Sequence, residues 1–456
     1  MSNKSNKKLI IILEGILSIS ALIFISFFNL NLSVALGIII IAILIPLFII
    51  FPYYSLLLLL IVRNSTDLYA ENVFIDFYFV SLNFSSILGI MIILWAIYVI
   101  LKENIDIKKI PLSIPWILFL FCASLSLIYS IDRASTLKNL TKLFNFYFIY
   151  IIFYHYFQNA QNKHKTRKYF ILSILFSFFI PLIFGLYQFI FNKGYVGPEG
   201  LNRVYGTFTH PNIFSFTLLF LLFILVILYT QNYYKKRKKE NKLILWLIFI
   251  TIFTLINTFT RSAWLGALAF IFLWMFLYKK NKIFSVLYCV SIIAFTLFLV
   301  INYTPLKYYD FNNIDFVRRL TTSDTSISST QWRMLSWRQM SSYVYKSPII
   351  GFGLGTYRLL REKQIYSSVY EYPYYAHNDY YQTLIELGVI GLFFYCNLLL
   401  QTFRNIYKKY LQKKDKTILL SLFGIIIIFS IGFVDNILTS TSLQWLIWAY
   451  IAFLLT

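Results

Sequence analysis

The chain of 456 residues is 59% hydrophobic and only 13% charged, with a mean hydropathy of +0.70. Soluble domains carry about 25% charged residues, so the composition excludes an ordinary soluble enzyme and points to a polytopic membrane protein. A net charge of +23 would suit nucleic acid in a soluble chain, but its distribution here follows membrane topology, and no nucleic-acid partner is expected.

Apolar runs fall at 9–29, 33–50, 51–62, 79–101, 112–130, 136–157, 168–191, 212–230, 243–259, 262–278, 283–301, 381–403, 417–434 and 438–455. Several reach the ~20 residues needed to cross ~30 Å of hydrocarbon. The expected fold is therefore all-α, a bundle of about 12–14 transmembrane helices. The first run contains Glu14 and is followed by no small-residue cleavage site, so it reads as a retained helix and not a removed signal peptide. The run 51–62 is short for a crossing and reads as re-entrant or half-crossing. Cys122, Cys289 and Cys396 lie within apolar runs without ligand spacing and read as small core residues.

Alternate connections are basic. The N-terminus, 102–110, 158–168, 231–242, 279–282 and 404–416 hold 25 of the 41 Lys and Arg residues. The positive-inside rule places these connections in the cytoplasm. That assignment requires 33–62 to form two passes or a hairpin, and it makes both termini cytoplasmic. The expected organisation is an N-terminal transmembrane bundle over 1–301, a large extracytoplasmic loop over 302–378 and C-terminal transmembrane helices over 379–456.

Three points on the external face combine charge with a helix boundary. LNRVYGTFTHPNIFSF (201–216) places Arg203, His210 and Asn212 before an apolar run, and NTFTRSAWLGALAF (257–270) interrupts another with Arg261. The third is YPYYAHNDYYQTLIELGVIGLFFY (372–395), which sets His377 at the mouth of a helix. Each residue has a plain structural alternative: Arg203 as a loop charge, Arg261 as a snorkelling anchor, His210 and His377 as helix-end groups. His155 and His164 fall at the cytoplasmic end of a helix, where interfacial or solvated roles suffice. Within the large loop, SSTQWRMLSWRQMSSYVY offers Ser329 or Thr330 as N-cap. Trp332, Leu335, Gln339 and Tyr343 then follow at helical spacing, which predicts an amphipathic helix of about four turns. The glycines at 351, 353 and 355 look like a nucleotide loop but lack the strand-then-helix context that such a loop needs.

The ordered set R-V-Y-G-T-F-x-H-P-N, T-R-S-A-W-L-G, G-F-G-L-G-T-Y and A-H-N-D-Y-Y-Q-T-L-I-E-L-G-V-I-G resembles the O-antigen ligase/polymerase family of bacterial membrane glycosyltransferases. The likeness covers roughly 200–395 by motif and the whole chain by helix layout. It implies a glycan donor carried on undecaprenyl diphosphate, with transfer outside the inner (cytoplasmic) membrane to a glycan or lipid A core acceptor. By the same likeness His377 is the catalytic base, Arg203 and Arg261 bind the diphosphate, and Arg333 is a further substrate-binding position. The chemistry is consistent with these residue types. Guanidiniums stay charged and meet phosphate oxygens bidentately, and a neutral imidazole can take the acceptor's proton near pH 7. No D-x-D pair occurs among the ten aspartates, so neither a metal nor a cofactor is expected. Ligase and polymerase share these motifs, and a lipid-linked glycan flippase or other transporter is the alternative from another class.

Overall fold

The computed structural model describes residues 48, 50–69, 73–77, 80–196, 202–234, 237–278, 329–363 and 375–456. The runs at 9–29 and 283–301, most of 33–50, and residues 302–328 of the long connection lie outside them. Among the described residues the first helices are α1 (Pro52–Ser65), α2 (Phe84–Lys102), α3 (Ser113–Tyr129) and α4 (Arg133–Gln158). Next come α5 (Lys163–Ser177), α6 (Phe179–Ile190), α7 (Pro211–Tyr234), α8 (Lys238–Asn257) and α9 (Arg261–Tyr278). The large-loop region adds α10 (Ser329–Lys346) and α11 (Tyr357–Glu362), before α12 (Asp379–Lys413), α13 (Lys416–Ile431) and α14 (Thr441–Leu455). Two short antiparallel hairpins complete the set: β1 (Val73–Phe77) with β2 (Val80–Asn83), and β3 (Tyr195–Val196) with β4 (Asn202–Arg203). The chain is an all-α polytopic membrane protein. Among the described residues six stretches are long and apolar enough to cross a membrane: α2, α5–α6 together, α7, α8, α9 and α12.

The run 168–191 is not one straight helix. Pro181 has no N–H for the Ser177 carbonyl, and the chain breaks at Phe178 between α5 and α6. A helix that is apolar on every side belongs inside a bundle, and α14 behaves so: Phe453 is its only residue outside the buried class. It lies along α4, where Trp448 meets Trp116 of α3 edge-on at 4.7 Å and Tyr150 of α4 at 6.1 Å. Buried hydroxyls such as Thr217 and Thr251 donate to the carbonyl four residues back, which satisfies them without a partner helix.

The amphipathic helix expected in the large loop is present as α10, but its buried face is rotated. Leu335 is 45% exposed and Gln339 also faces outward, whereas Ser336 and Met340 are buried. Two bonds set the rotation. Trp337 Nε1 donates to the Ala376 carbonyl at 2.7 Å, and the Tyr381 hydroxyl donates to the Trp337 carbonyl at 2.7 Å. Met340 then enters a small separate core with Tyr357, Leu360, Ala376 and Ile385. Apolarity alone located the helix, and its face is decided by what α12 offers.

α12 is two helices joined at Gly388, whose φ of 65° and ψ of −169° lie outside helical space. The break strands backbone groups, and the GFGLGTY segment takes them. Val389 N and Ile390 N donate to the Pro348 and Ile349 carbonyls at 2.8 and 3.3 Å. The Ile385 and Glu386 carbonyls accept from Phe352 N and Gly353 N at 3.2 and 2.8 Å. Glu386 reaches further into the same loop, accepting from Gly355 N at 2.8 Å and Tyr357 N at 3.3 Å. The glycines that look like a nucleotide loop are therefore packing glycines. A Cβ at Gly388 would run into the Ile349 carbonyl, and a left-handed backbone there costs a non-glycine residue about 1–2 kcal/mol more. Gly388→Ala is expected to lower the thermal unfolding midpoint in detergent and release the 348–357 segment to protease; an unchanged midpoint and digestion pattern would refute this role.

Candidate functional site

The RVYG segment is placed by three helices. Gln188 of α6 accepts from Tyr205 N and Gly206 N through Oε1, at 2.9 and 2.8 Å, and donates to the Gly206 carbonyl through Nε2. Thr207 donates to the Asn64 carbonyl at the end of α1, and Val204 N donates to the Asn257 carbonyl at the end of α8. Arg203 is thereby carried to the C-terminus of α8, where a cation suits the carbonyl end of the helix. Its Nε donates to the Thr258 carbonyl at 2.8 Å, and its Nη2 donates to Asn212 Oδ1 at 2.7 Å and Thr260 Oγ1 at 3.1 Å. Only 6% of Arg203 is exposed, and this burial pulls its pKa down to about 10. Asp435 and Tyr195 act against that shift, and the Arg261 charge adds to it.

Asn212 stands at the second position of α7, after Pro211 has opened the helix. Its Nδ2 donates to Asp435 Oδ2 at 2.7 Å, while the other carboxylate oxygen of Asp435 lies 3.1 Å from His377 Nδ1. An unbroken hydrogen-bonded line thus runs from His377 through Asp435 and Asn212 to Arg203. Asp435 sits in the turn between α13 and α14. Burial works to raise its pKa but is outweighed by the His377 hydrogen bond and charge, with Arg333 and Asn436 N assisting, so the carboxyl is held well below the usual range. An anionic Asp435 accepting from Nδ1–H leaves the lone pair of His377 on Nε2.

His377 itself has a φ of 49°, in the left-handed region. The conformation is fixed from both sides. Asn378 caps α12, its side chain accepting from Tyr381 N at 2.9 Å, and Asp379 N donates to the Gly432 carbonyl at 2.7 Å. Asp379 also clamps the Asp435 turn, accepting from Ile437 N and Leu438 N at 3.0 Å each and from Asn436 Nδ2 at 3.1 Å. The His377 side chain is 28% exposed and that of Asp435 only 9%, so the imidazole forms the open end of the pair.

Arg261 opens α9 after a three-residue break in the 243–278 apolar stretch, next to Phe259 with a φ of 51°. Arg333 lies on α10, one turn before the Trp337 that pins this helix to Ala376. Burial lowers the Arg333 pKa, with Asp435 opposing and Arg261 adding, which brings Arg333, Arg261 and Asp435 into one electrostatic neighbourhood. The four residues expected from the sequence therefore gather at one end of the bundle.

His210 belongs to the same neighbourhood in a different role. Its Nδ1 accepts from Asn212 N at 3.1 Å, so it caps α7 in the neutral state. Burial, with Arg203 and His377 adding and Asp435 opposing, lowers its pKa to about 4. His155 stands apart, paired with Glu103 at 2.6 Å. Asp435 and the role of Asn212 were not found by reading the motifs. The available signal was a lone acid in the short gap between the apolar runs 417–434 and 438–455, on the face already holding Arg203 and His377. Among the described residues no group of three or more His, Cys, Asp or Glu is placed to hold a metal ion.

Residues 246–396 match the family model of the O-antigen ligase. Over 325 residues the chain is 25% identical to a ComP-specific O-oligosaccharyltransferase of Acinetobacter baylyi, covering 67% of this chain and 55% of that relative. The match thus spans little more than half the length of the relative. Arg261, Arg333 and His377 fall inside the matched family segment, whereas Arg203, Asn212 and Asp435 reach the site from outside it. The chain is a multi-pass membrane protein whose residues 246–396 match the O-antigen ligase family model.

Proposed function

We propose that the protein is a ligase-type, metal-independent glycosyltransferase that moves a glycan from undecaprenyl diphosphate to an acceptor hydroxyl. The transfer takes place at the extracytoplasmic face of the bacterial inner membrane, onto a glycan or lipid A core, in lipopolysaccharide or other surface-polysaccharide synthesis. The observation that carries this reading is the line His377–Asp435–Asn212–Arg203, with Arg261 and Arg333 in electrostatic reach.

In this reaction the acceptor oxygen attacks the anomeric carbon as its proton passes to His377 Nε2. The carbon–oxygen bond to the diphosphate breaks, and the electron pair leaves on the diphosphate, inverting the anomeric centre. Asp435 orients the imidazole and stabilises the imidazolium that forms. Arg203, Arg261 and Arg333 offset the charge that develops on the leaving group, the kind of fixed electrostatic support that supplies several kcal/mol in a water-poor site. Their permanent charge does the work a divalent ion does elsewhere. A polymerase, with another repeat unit as acceptor, would use the same residues; the likeness to an O-oligosaccharyltransferase favours transfer of a finished oligosaccharide.

Single-turnover transfer from a lipid diphosphate donor, with donor affinity measured separately, tests the assignment. His377→Ala is expected to slow transfer by about 10²–10⁴ with little change in donor affinity. Asp435→Asn should slow it by a similar order, and Arg203→Lys should weaken donor binding because a point charge cannot reproduce the fork. Chelation should leave the wild-type rate unchanged. Near-wild-type turnover in His377→Ala, or a rate abolished by EDTA and restored by Mg²⁺, would refute the mechanism.

The pH profile separates the two histidines. An imidazole base accepts a proton only in its neutral form, so transfer is expected to fall on acidification. With a pKa of about 4, His210 stays neutral from pH 5 upward, so His210→Asn should leave that acid limb in place. Loss of the limb in His210→Asn would move the base to His210. For sidedness, a reporter fused at Lys414 should read cytoplasmic and one inserted at Ser326 extracytoplasmic; the opposite result at Ser326 would exclude an external site.

A further inference from the structure

α13 and α14 meet at the Asp435 turn, so their far ends, Lys416 and Leu455, lie about one helix length, roughly 22–24 Å, from the His377 side. There α5, α7, α13 and α14 enclose a cavity of about 140 Å³. Its inner wall is apolar, with Ile224, Ile418 and Phe453, and its mouth carries Arg167, Lys413 and Gln231. This volume is close to the ~150 Å³ that accommodates a benzene-sized molecule.

Asp415 only partly offsets the cations at the mouth. The Arg167 guanidinium lies over the Phe453 ring at 5.2 Å, makes one long bond of 3.5 Å to the Thr456 hydroxyl, and buries its Nε without a partner among the described residues. Arg167 and Lys413 form no ion pair with another described residue. Lys163 and Lys409 crowd the same charge, and Lys409 is already directed to the Leu455 and Thr456 carbonyls at 3.1 and 3.4 Å. The one acid lining the cavity, Asp415, is engaged as the cap of α13, accepting from Thr417 N and Oγ1 at 2.8 Å each. Four cations against Asp415 and the main-chain oxygens of Leu455 and Thr456 leave net positive charge at the mouth for an anion to offset.

We propose that this cavity binds a phosphate group at the membrane surface opposite the His377 site, either the headgroup of an anionic phospholipid or free phosphate. The Arg167 fork fits two phosphate oxygens and Lys413 supplies a third contact. The apolar inner wall suits the carbons that adjoin a headgroup phosphate, and basic pockets between helix ends are where anionic lipids are held. The cavity is too small for acyl chains, which would remain in the bilayer.

Native mass spectrometry of the full chain, purified with phosphatidylglycerol or with phosphatidylcholine, tests this. The wild type is expected to retain phosphatidylglycerol and not phosphatidylcholine. Arg167→Gln/Lys413→Gln should lower that retention by about tenfold or more. Lys238→Gln/Lys239→Gln, the same charge change elsewhere on the surface, should not. Should the double variant fail to fold, exposed Lys413→Gln alone should still lower retention severalfold. Inorganic phosphate that displaces the lipid and protects wild type alone against thermal unfolding would identify free phosphate as the ligand; lipid that resists phosphate would identify the headgroup. Equal phosphatidylglycerol retention by wild type and double variant, or equal retention of phosphatidylcholine, would overturn the proposal.

Discussion

Interrupting a helix inside a membrane protein strands backbone N–H and C=O groups, and each one left unpaired in an apolar setting costs several kcal/mol. At Gly388 those groups are taken by the backbone of residues 348–353, which returns two carbonyls and two N–H groups to the broken ends. This exchange fixes the first helical half of α12 against the large-loop segment. The Asn378 cap then positions His377, and Asp379 at the head of the same half positions Asp435. Glu386 draws the remaining loop N–H groups to itself, so the loop has no separate freedom to leave. The site depends on a backbone arrangement that contains none of its chemistry.

Much of this was legible in the sequence for physical reasons that can be named. Apolar length gives helix positions directly, because only a helix satisfies its own backbone in hydrocarbon. The loop helix was visible from its periodicity, although α10 already includes Ser329 and Thr330, which the sequence offered as its N-cap. Arg203, Arg261 and His377 announced themselves as polar groups at helix boundaries. What stayed hidden depended on contacts between distant segments. The face of α10 is set by Trp337 and Tyr381, which no periodicity within α10 can report. Asp435 looks like an ordinary turn residue until the fold brings it, 58 positions along the chain, onto His377. The three glycines of GFGLG look like a ligand loop, whereas their need for space comes from the Glu386 backbone at Gly351, Ser130 at Gly353 and Asn139 of α4 at Gly355.

The electrostatics of the site are unbalanced by construction. Asp435 is the carboxylate that enters the environment of Arg203, His210 and Arg333 alike, so one acid serves two guanidiniums and a histidine. A buried cation without an acid partner is costly, and the protein reduces that cost for Arg203 with a helix terminus, an amide and a hydroxyl rather than with a second carboxylate. Neutral donors and acceptors hold the guanidinium in position without cancelling its charge. The charge stays delocalised over the guanidinium, whose bonds to described residues are made by Nε and Nη2.

The order in which the chain is made gives the α12 break a directional character. Residues 348–353 precede 385–390 in sequence, so the backbone that completes the interruption exists before the interruption forms. The second half of α12, from Val389 onward, can be built only as an extension of that already present edge, and its first two N–H groups are committed to Pro348 and Ile349. Assembly at this point is templated, with the earlier segment acting as the mould for the later one. A circularly permuted chain that placed 348–357 after α12 would keep every contact and lose that order.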